Sequence, residues 1–437
     1  MTRVAMRIAT FRKVLVVVLI LACRNLWRHP RRTLITASTI TIGLVMAIFF
    51  IGIGDGSHHA MVRQSIALGQ GHITVQPAAY FSAPHNQLLL PDGLALKRIL
   101  SAAVSSATIV PRIELQALAS TAYQSEGVQV MGVTPEDPFL KELTRHQPID
   151  GEPIDSADAQ GVWLGTALAQ RLQVTLGGKV VMMAGRQGDA ALSHLVRVRG
   201  IFQAGITELD RYMMVSSLIA THPLLADPAE DAQGSATRLA IFLPSDADLA
   251  LAQEKIESLV TATGMQDTDG VSAVVMPWQE MMPDLVQFIA VDDAGNYVFL
   301  SLIMVLIVFG VVNTVLMSVL ERTREFGLMV ALGLSPGLVW LLVIAEALLL
   351  AGFASAIGWC LGGLVYAWFA TQGLDLSGLI DSSTQVMGTV MDPIIYAHLS
   401  WARVGQLTAI VVGMTLLSGL YPAVKAARVS PLEAMRR

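Results

Sequence analysis

The sequence predicts an α-helical membrane protein with four transmembrane helices, one plus three, and a large α+β domain inserted between helices 1 and 2. Three observations support this fold class. The 437 residues are 53% hydrophobic and only 14% charged, whereas soluble domains carry about 25% charged residues. Four segments are long enough to cross a bilayer, which takes roughly 20 apolar residues. Residues 55–293, more than half of the chain, separate the first two of these segments and mix strands, turns and polar residues.

The first element is a basic N-terminus. Residues 1–32 contain eight basic residues and no acidic ones, and the positive-inside rule places such a segment in the cytoplasm. Within it, Val14–Ala22 is an apolar run followed by Cys23, which has two interpretations. It resembles a signal-peptide core with a lipoprotein-like cleavage position, or it is an interfacial helix that leads into the first span. Cleavage at Cys23 would export a basic cluster next to a span, so the interfacial helix is the favoured interpretation.

The spans and the segments between them follow from hydropathy and charge. Residues 55–293 hold 27 acidic and 14 basic residues, a net charge of −13, and the loop 371–400 has three aspartates but no lysine or arginine. Both segments are therefore predicted outside, and both termini inside. The third span is longer than one crossing needs, which indicates tilt or extension beyond the membrane. The predicted order is transmembrane helix 1 at 33–54, the inserted domain at 55–293, helix 2 at 297–320, a cytoplasmic segment at 321–337, helix 3 at 338–370, the outer loop at 371–400, helix 4 at 402–421 and a cytoplasmic tail at 422–437.

The inserted domain alternates β and α patterns, which indicates an α+β domain of two subdomains. We expect a helix over Gly161–Gln173, where leucines recur on one face, and a strand pair in Val174–Met183 that turns at Gly177 and Gly178. The predicted division assigns Gly71–Val133 plus Thr237–Met276 to one subdomain, with Gly151–Ser217 inserted into it.

No catalytic motif is present in the sequence. Gly177-Gly178-Lys179 is followed by Val180, so it lacks the hydroxyl that a phosphate-binding loop uses to bind Mg²⁺. No cysteine pairs or histidine clusters have metal-ligand spacing, and His58-His59 is interpreted as a solvated helix edge because adjacent helical residues point in different directions. Basic clusters occur only beside the membrane, which argues against nucleic-acid binding. The chain is therefore predicted to be no enzyme and to hold no cofactor, so any energy must come from another subunit.

Small and charged residues within the spans predict helix packing. Ala354, Gly358 and Gly362 are spaced by four, a row that lets helices approach closely. Glu346 lies within the third span, where it faces a partner helix or a cavity, or is satisfied by a neighbouring side chain near the cytoplasmic interface. The favoured interpretation is that a neighbouring side chain satisfies Glu346.

The most patterned cytoplasmic segment is Glu321–Gly337, between spans two and three. Charged residues open it, and an apolar face with glycines follows. Such a segment can lie along the membrane surface and receive another protein.

Four pieces of the chain together resemble the FtsX-like permeases of ABC transporters, which include the macrolide-exporter and lipoprotein-releasing types. Arg24–Thr33 is similar to the family's entry to span one, and Glu321–Gly333 resembles its coupling segment. Trp163–Leu172, followed by Gly177–Val180, resembles a feature of its periplasmic insert. Tyr421–Arg436 looks like the family's closing tail.

The resemblance implies a multi-pass protein of the bacterial inner membrane that works as a dimer, with the same chain or a paralogue as second permease. Each permease is bound by a separate ABC ATP-binding subunit, which holds the ATP and Mg²⁺. ATP-driven closure pushes the coupling segments together, and long helices carry that motion to the periplasmic domains. The residues that the resemblance assigns to ATPase coupling are Glu321, Arg322, Arg324, Glu325, Phe326, Gly327, Leu332 and Gly333.

Within this family, Pro277–Leu285 resembles the lipoprotein-releasing branch, which implies extraction of lipoproteins or other lipid-anchored cargo from the inner membrane. Two other functions stay open: mechanotransmission for tripartite efflux, and regulation of cell-wall hydrolases. A periplasmic carrier or adaptor is a further expected partner. A cleft for acyl chains is predicted where spans one and two emerge, although the same side chains can simply face lipid or the second permease. Its candidate residues are Ile48, Phe49, Ile53, Phe288, Val298 and Leu302.

Overall fold

The computed structural model describes residues 16–28, 30–90, 92–145, 147, 149–186, 189–225, 234–244, 247–263, 272–376, 385–386, 389–390 and 394–428. The chain divides into two compact units. The helical unit contains Met1–His59, Ile289–Leu376 and Ile394–Arg437, and the sheet unit contains Ala60–Phe288 and Ser377–Pro393. Predictions for residues 1–15, for most of the loop 377–393 and for the end of the tail lie outside the described residues.

The elements are numbered in chain order. The helices are α1 (residues 16–28), α2 (Pro30–Leu68), α3 (Ala78–Ser82), α4 (Gly93–Ala103), α5 (Pro138–Leu143), α6 (Thr166–Arg171), α7 (Thr207–Tyr212), α8 (Leu218–Thr221), α9 (Leu249–Ala262), α10 (Trp278–Met281), α11 (Pro283–Glu321), α12 (Thr323–Ala331), α13 (Pro336–Gln372) and α14 (Trp401–Ala427), with a 3₁₀ turn at His222–Leu224. The strands are β1 (Ile73–Pro77), β2 (Thr108–Ser120), β3 (Ser125–Val133), β4 (Asp150–Gly151), β5 (Gly161–Gly165), β6 (Lys179–Arg186), β7 (Asp189–Phe202), β8 (Met213–Ser217), β9 (Arg238–Phe242), β10 (Ala273–Pro277), β11 (Leu374–Asp375), β12 (Gln385–Val386), β13 (Thr389–Val390) and β14 (Ile394–Ile395).

Within the described residues, four helices, α2, α11, α13 and α14, are long and apolar enough to cross a membrane. Each contains one of the four spans read from the sequence. With 39 residues each, α2 and α11 are about 58 Å long. The hydrocarbon core of a bilayer is only about 30 Å thick, so both helices continue well past the length that a crossing requires.

The small residues of α13 lie directly against α2. A Cβ atom added at Gly358 would lie 2.8 Å from Leu44 Cδ2, and one at Gly362 would lie 2.5 Å from Ile48 Cδ1. Thr41 Oγ1 donates a hydrogen bond to the Ala354 carbonyl at 3.1 Å. Side chains at these positions would push the helices apart, because real Cβ contacts under 3.0 Å essentially never occur.

In the sheet unit, six strands form a closed ring in the order β2, β3, β8, β5, β7 and β6, with β6 returning to pair with β2. A closed ring of paired strands is a barrel and leaves no open edge within it. Its buried side chains, including Ile113, Val130, Leu164 and Met182, pack with Leu168 of α6 into one hydrophobic cluster. This cluster stabilises the larger half of the sheet unit.

The other half is an antiparallel layer in the order β10, β1, β9 and β2. Apolar faces of α4 and α9 pack on it through Leu96, Leu100 and Ile256. Strand β2 belongs to both halves, because its residues up to Arg112 pair with β9 and those from Ile113 onward pair with β3. The predicted subdomain Gly71–Val133 is therefore wrong at its end: β3 belongs to the barrel, and the division falls within β2.

Two local predictions in this domain are also wrong. Gly161–Gln173 is not one helix: β5 occupies its first five residues and α6 follows. Val162 and Leu164 are fully buried, and a short, buried apolar run cannot be assigned to helix or strand by periodicity alone. The strand pair expected in Val174–Met183 is also absent: β6 begins at Lys179, after a turn in which Gly177 has φ +78°, and pairs with β7.

Candidate coupling site

The segment between the second and third long helices folds as a short helix with a defined break at each end. Arg322 leaves helical geometry (φ −98°, ψ 14°), α12 follows, and Gly333 has φ +96°. Glycine adopts that left-handed conformation without steric cost. Helix α13 then begins with Pro336 at its first position, where a missing N–H costs nothing.

The buried side chain of Arg322 holds this short helix against its neighbours. Arg322 is 6% exposed; its Nη1 donates to Glu346 Oε1 at 2.9 Å and its Nε donates to Glu325 Oε2 at 3.0 Å. Its guanidinium also lies 5.1 Å from the centre of the Phe326 ring. Glu346 further accepts a hydrogen bond from the Asn25 amide, so the expectation that a neighbour satisfies this carboxylate is confirmed. These contacts join α1, α12 and α13.

Two further arginines bind the acidic residues of the segment. Arg28 Nη1 lies 3.0 Å from Glu325 Oε1, and Arg32 Nη2 donates to Glu321 Oε2. Partial burial alone would raise the pKa of Glu325, but the ion pairs with Arg322 and Arg28 outweigh it and hold that pKa below its ordinary value. Both carboxylates of the segment, Glu321 and Glu325, are thus bound by arginines of this chain.

The face that remains open is apolar with one positive charge. Arg324, Leu328 and Leu332 are exposed and spaced by four, so they lie on one side of α12 and its end. Leu328 is 55% exposed and Leu332 is 81% exposed. Phe326 and Gly327, by contrast, are buried. We call Arg324, Leu328 and Leu332 the open face.

The structure thus divides the eight residues assigned by resemblance. Arg324, Leu332 and Gly333 are exposed, whereas Arg322, Phe326 and Gly327 are buried, and Glu321 and Glu325 are engaged in ion pairs. Sequence reasoning missed Asn25, Arg28 and Arg32 as partners of the segment, and missed Leu328. The available signal was charge complementarity, since residues 1–32 are purely basic and the segment carries two glutamates.

A second charged cluster joins α2, α11 and α14 within the helical unit. Arg403 lies 3.3 Å from Asp55 and 3.2 Å from Asp293 through its guanidinium nitrogens, and it donates to the Tyr297 hydroxyl at 2.6 Å. Ligand atoms of Asp55, His58 and Asp293 come within 4.8 Å of one another. Arg403 already supplies the positive charge between the two carboxylates, so the cluster is an interhelical ion-pair network.

The prediction that His58 lies on a solvated helix edge is wrong. The residue is 8% exposed, and its Nε2 lies 2.7 Å from Asp292 Oδ2. The side chain points from α2 toward α11. Because α11 is distant in sequence, the local pattern around His58 could not predict this contact. His59 stacks on the His398 ring at a centroid distance of 4.7 Å.

The candidate cleft residues are not equivalent. Ile48 is 1% exposed and packs against Gly362, so no acyl chain reaches it in this arrangement. Phe49 contacts the Phe369 ring at 5.2 Å. Val298 and Leu302 are 63% and 58% exposed. Ile53 is half-buried, as is Phe288, which belongs to the sheet unit.

Comparisons with known proteins match both parts of the chain. Residues 33–259 match the family model of the MacB-like periplasmic core domain, and residues 297–431 match the FtsX-like permease C-terminal model. The lipoprotein-releasing system transmembrane protein LolC of Neisseria meningitidis serogroup B is 23% identical over 75% of this chain and 77% of the relative. The macrolide export ATP-binding/permease protein MacB of Shewanella oneidensis is 26% identical over 94% of this chain.

The alignment covers 58% of the length of that MacB relative, so the chain spans a little over half of it. The crystal structure of the periplasmic region of MacB from Actinobacillus actinomycetemcomitans aligns with 52% of this chain and 98% of that one, at 12% identity and a TM-score of 0.36. The two family models, rather than this alignment, carry the assignment.

Proposed function

Since the chain belongs to the FtsX-like permeases of ABC transporters with a MacB-like periplasmic core domain, we propose that it converts ATP hydrolysis in a partner subunit into movement of an extracytoplasmic domain. It is a permease of the LolC and MacB type. We further propose that both termini and α12 are cytoplasmic, that the sheet unit is periplasmic, and that two permeases pair. The basic N-terminus and the acidic insert support this orientation.

The observation that carries the proposal is the open face of α12. Its two leucines expose apolar surface side by side, at 55% and 81% exposure. Arg324 adds a positive charge that has no carboxylate within salt-bridge distance among the described residues. Exposed apolar residues rimmed by charge are typical of protein-binding surfaces. We propose that the ABC ATP-binding subunit covers this face.

The length of α2 and α11 supports the transmission step. Each is one uninterrupted helix of 39 residues, and a continuous helix moves as a rod where a loop would absorb displacement. Arg322 and Glu346 connect α12 to α13, so a push on the open face acts on packed helices rather than on a free loop.

The test is co-purification of the full chain with its cognate ATPase after Leu332→Asp. We expect at least a tenfold loss of bound ATPase, because a carboxylate would be desolvated in the interface. Leu251→Asp is the matched control, since Leu251 is 69% exposed on α9 of the sheet unit. Unchanged ATPase binding by Leu332→Asp would reject the assignment of the open face.

For the cargo, we propose lipoproteins or other lipid-anchored molecules in the outer leaflet of the inner membrane. The name of the Neisseria relative supports this class, as do the exposed apolar side chains of Val298 and Leu302. The test is reconstitution of permease and ATPase in proteoliposomes that contain an acylated lipoprotein. ATP-dependent appearance of that lipoprotein in the soluble fraction with an acceptor protein is the expected result, and its absence with active ATPase would contradict this cargo.

The second candidate is mechanotransmission for export of small molecules, favoured by the MacB-like core model over residues 33–259. It predicts cross-linking of the sheet unit to a periplasmic adaptor rather than to a lipoprotein carrier. Lower macrolide tolerance on deletion of the gene, with unchanged lipoprotein localisation, would favour this candidate over the first.

A further inference from the structure

A cleft of about 660 Å³ lies within the sheet unit, a volume in the usual range of ligand sites. Strands β1, β2, β3 and β9, the segment that follows β1, the end of α7 and Gln70, which lies just beyond α2, all contribute to it. Its lining includes Gln76, Tyr80, Phe81, Glu114, Tyr212 and Arg238.

An incompletely bonded arginine lines the cleft. Arg238 is 3% exposed; its Nη2 donates to Glu114 Oε2 at 2.7 Å, and its guanidinium lies 5.0 Å from the centre of the Tyr80 ring. Its Nε and Nη1 have no hydrogen-bond partner among the residues that the structure describes. A buried donor without a hydrogen bond is costly, so an acceptor oxygen next to this side chain would be stabilising.

A second buried polar atom lies in the same lining. Gln76 is 1% exposed, and its Oε1 has no partner among the described residues, whereas its Nε2 contacts Met276 Sδ at 3.6 Å. An amide oxygen requires an N–H or O–H donor. A ligand that offers both a hydrogen-bond acceptor and a hydrogen-bond donor would therefore complement the cleft.

The charge of the cleft decides between an anion and a neutral ligand. Glu114 is 7% exposed and already neutralises Arg238, and among the described residues no lysine or other arginine lines the cleft. An anion would be placed beside the buried Glu114 carboxylate, which disfavours it. A neutral carbonyl oxygen satisfies the same guanidinium donors without that repulsion.

A group that carries a neutral carbonyl acceptor and an N–H donor side by side is a peptide bond. The rim adds apolar surface for side chains, since Phe81 is 50% exposed and Tyr212 is 42% exposed. We propose that this cleft binds a short, neutral peptide segment of a partner protein, with its backbone on Arg238 and Gln76 and an apolar side chain against Phe81 or Tyr212. This site is independent of the open face of α12 and of ATP.

The test measures binding of the blocked tetrapeptide acetyl-Ala-Leu-Phe-Ala-amide to the full chain in lipid nanodiscs, without ATP or ATPase. Saturable binding is expected, with a tenfold or greater loss in Gln76→Leu and in Phe81→Ala. Tyr123→Ala is the control, because Tyr123 is 72% exposed and is not among the lining residues. Since no ATPase is present, failure here leaves the coupling proposal standing, and the converse also holds.

Three comparisons make the outcome decisive. A peptide N-methylated at its central amide should bind at least fivefold more weakly, because the donor to Gln76 is lost. Acetate or phosphate that competes with the peptide at equal concentration would overturn the neutral-ligand argument in favour of an anion site. Acetyl-leucine amide that binds as tightly as the tetrapeptide would overturn the peptide assignment in favour of a small amide compound. Absence of saturable binding to the unmodified chain, or equal binding by both cleft variants, would overturn the proposal itself.

Discussion

The buried ion pair between Arg112 and Asp137 offers a sharp test of how the sheet unit is held together. Both side chains are 0% exposed. Arg112 Nε and Nη2 donate to the two Asp137 oxygens at 2.7 and 2.6 Å, and Arg112 Nη1 donates to the Gly69 carbonyl just beyond the end of α2. Asp137 also caps α5 by accepting from the Phe139 N–H at 2.9 Å. One contact set thus joins the end of α2, strand β2 and α5.

Asp137→Ala should destabilise this region by about 4 kcal/mol. Removing one partner of a buried pair costs about 3–5 kcal/mol, because the other charge is left uncompensated. The lost helix cap accounts for about 1 kcal/mol, and the two effects overlap because they share the Asp137 carboxylate. A change of about 4 kcal/mol raises the opening equilibrium roughly a thousandfold.

Hydrogen–deuterium exchange of the full chain in nanodiscs measures this opening segment by segment. We expect faster exchange in β2, α5 and the last turn of α2. The double variant Arg112→Met/Asp137→Leu should recover protection in β2 and α5, since apolar replacement of a buried pair is often neutral or stabilising. It should not recover protection near Gly69, because the Gly69 carbonyl loses its arginine donor when Arg112 is replaced.

A partly exposed ion pair provides the control. Arg145 and Glu142 lie 2.9 Å apart, but the arginine is 39% exposed, so Glu142→Ala should cost under about 1 kcal/mol. The reasoning is refuted if Asp137→Ala changes exchange by no more than this control, or if the double variant is as open as the single one throughout.

Two further predictions concern packing and pH. Gly358→Leu should separate α13 from α2 and lower the thermal stability of the detergent-solubilised chain, since overpacking costs about 1–3 kcal/mol; Gly363→Leu, where a Cβ meets no atom within 4 Å, should not. Burial lowers the pKa of His72 below 6.5, and its Nδ1 accepts from the Leu243 N–H at 3.1 Å. Because the folded pKa is the lower one, the stability due to neutral His72 is complete above pH 6.5 and is lost as pH falls below that value. The protection factors of β9 and β1, which correct for the slower intrinsic exchange at low pH, should therefore fall between pH 7 and pH 5, and a His72→Gln variant with the same fall would contradict this cause.

The sequence predicted what depends on composition and on long periodic segments. Four apolar runs of sufficient length and a charged insert gave the one-plus-three arrangement of helices and the α+β insert. The errors share one physical cause. Val162 and Leu164 lie in a strand because β7 and β8 pair with that segment, and their side chains are buried in the hydrophobic cluster of the barrel. His58 is buried because α11 faces α2. Such neighbours are distant in sequence, so local pattern alone assigns the wrong element or the wrong exposure.

The site was predictable only in part for a similar reason. The spacing of Arg324, Leu328 and Leu332 indicates one helix face, but sequence alone could not show which side of that helix packs inward. The ion-pair partners were equally hard to predict. Any of the eight basic residues within residues 1–32 could pair with Glu321 or Glu325, and the structure shows that Arg32 and Arg28 do so.

That selection changes how the coupling segment should be probed. Glu321 and Glu325 look like the natural residues to mutate, because charged residues open the segment. Both are bound within the chain, so their substitution would release Arg28 and Arg32 and disturb the packing of α1, whatever the ATPase contacts. Loss of coupling in such variants would therefore report on internal structure. Leu332, at 81% exposure, contributes nothing to that network, so a defect confined to its substitution identifies a surface that a second protein must cover.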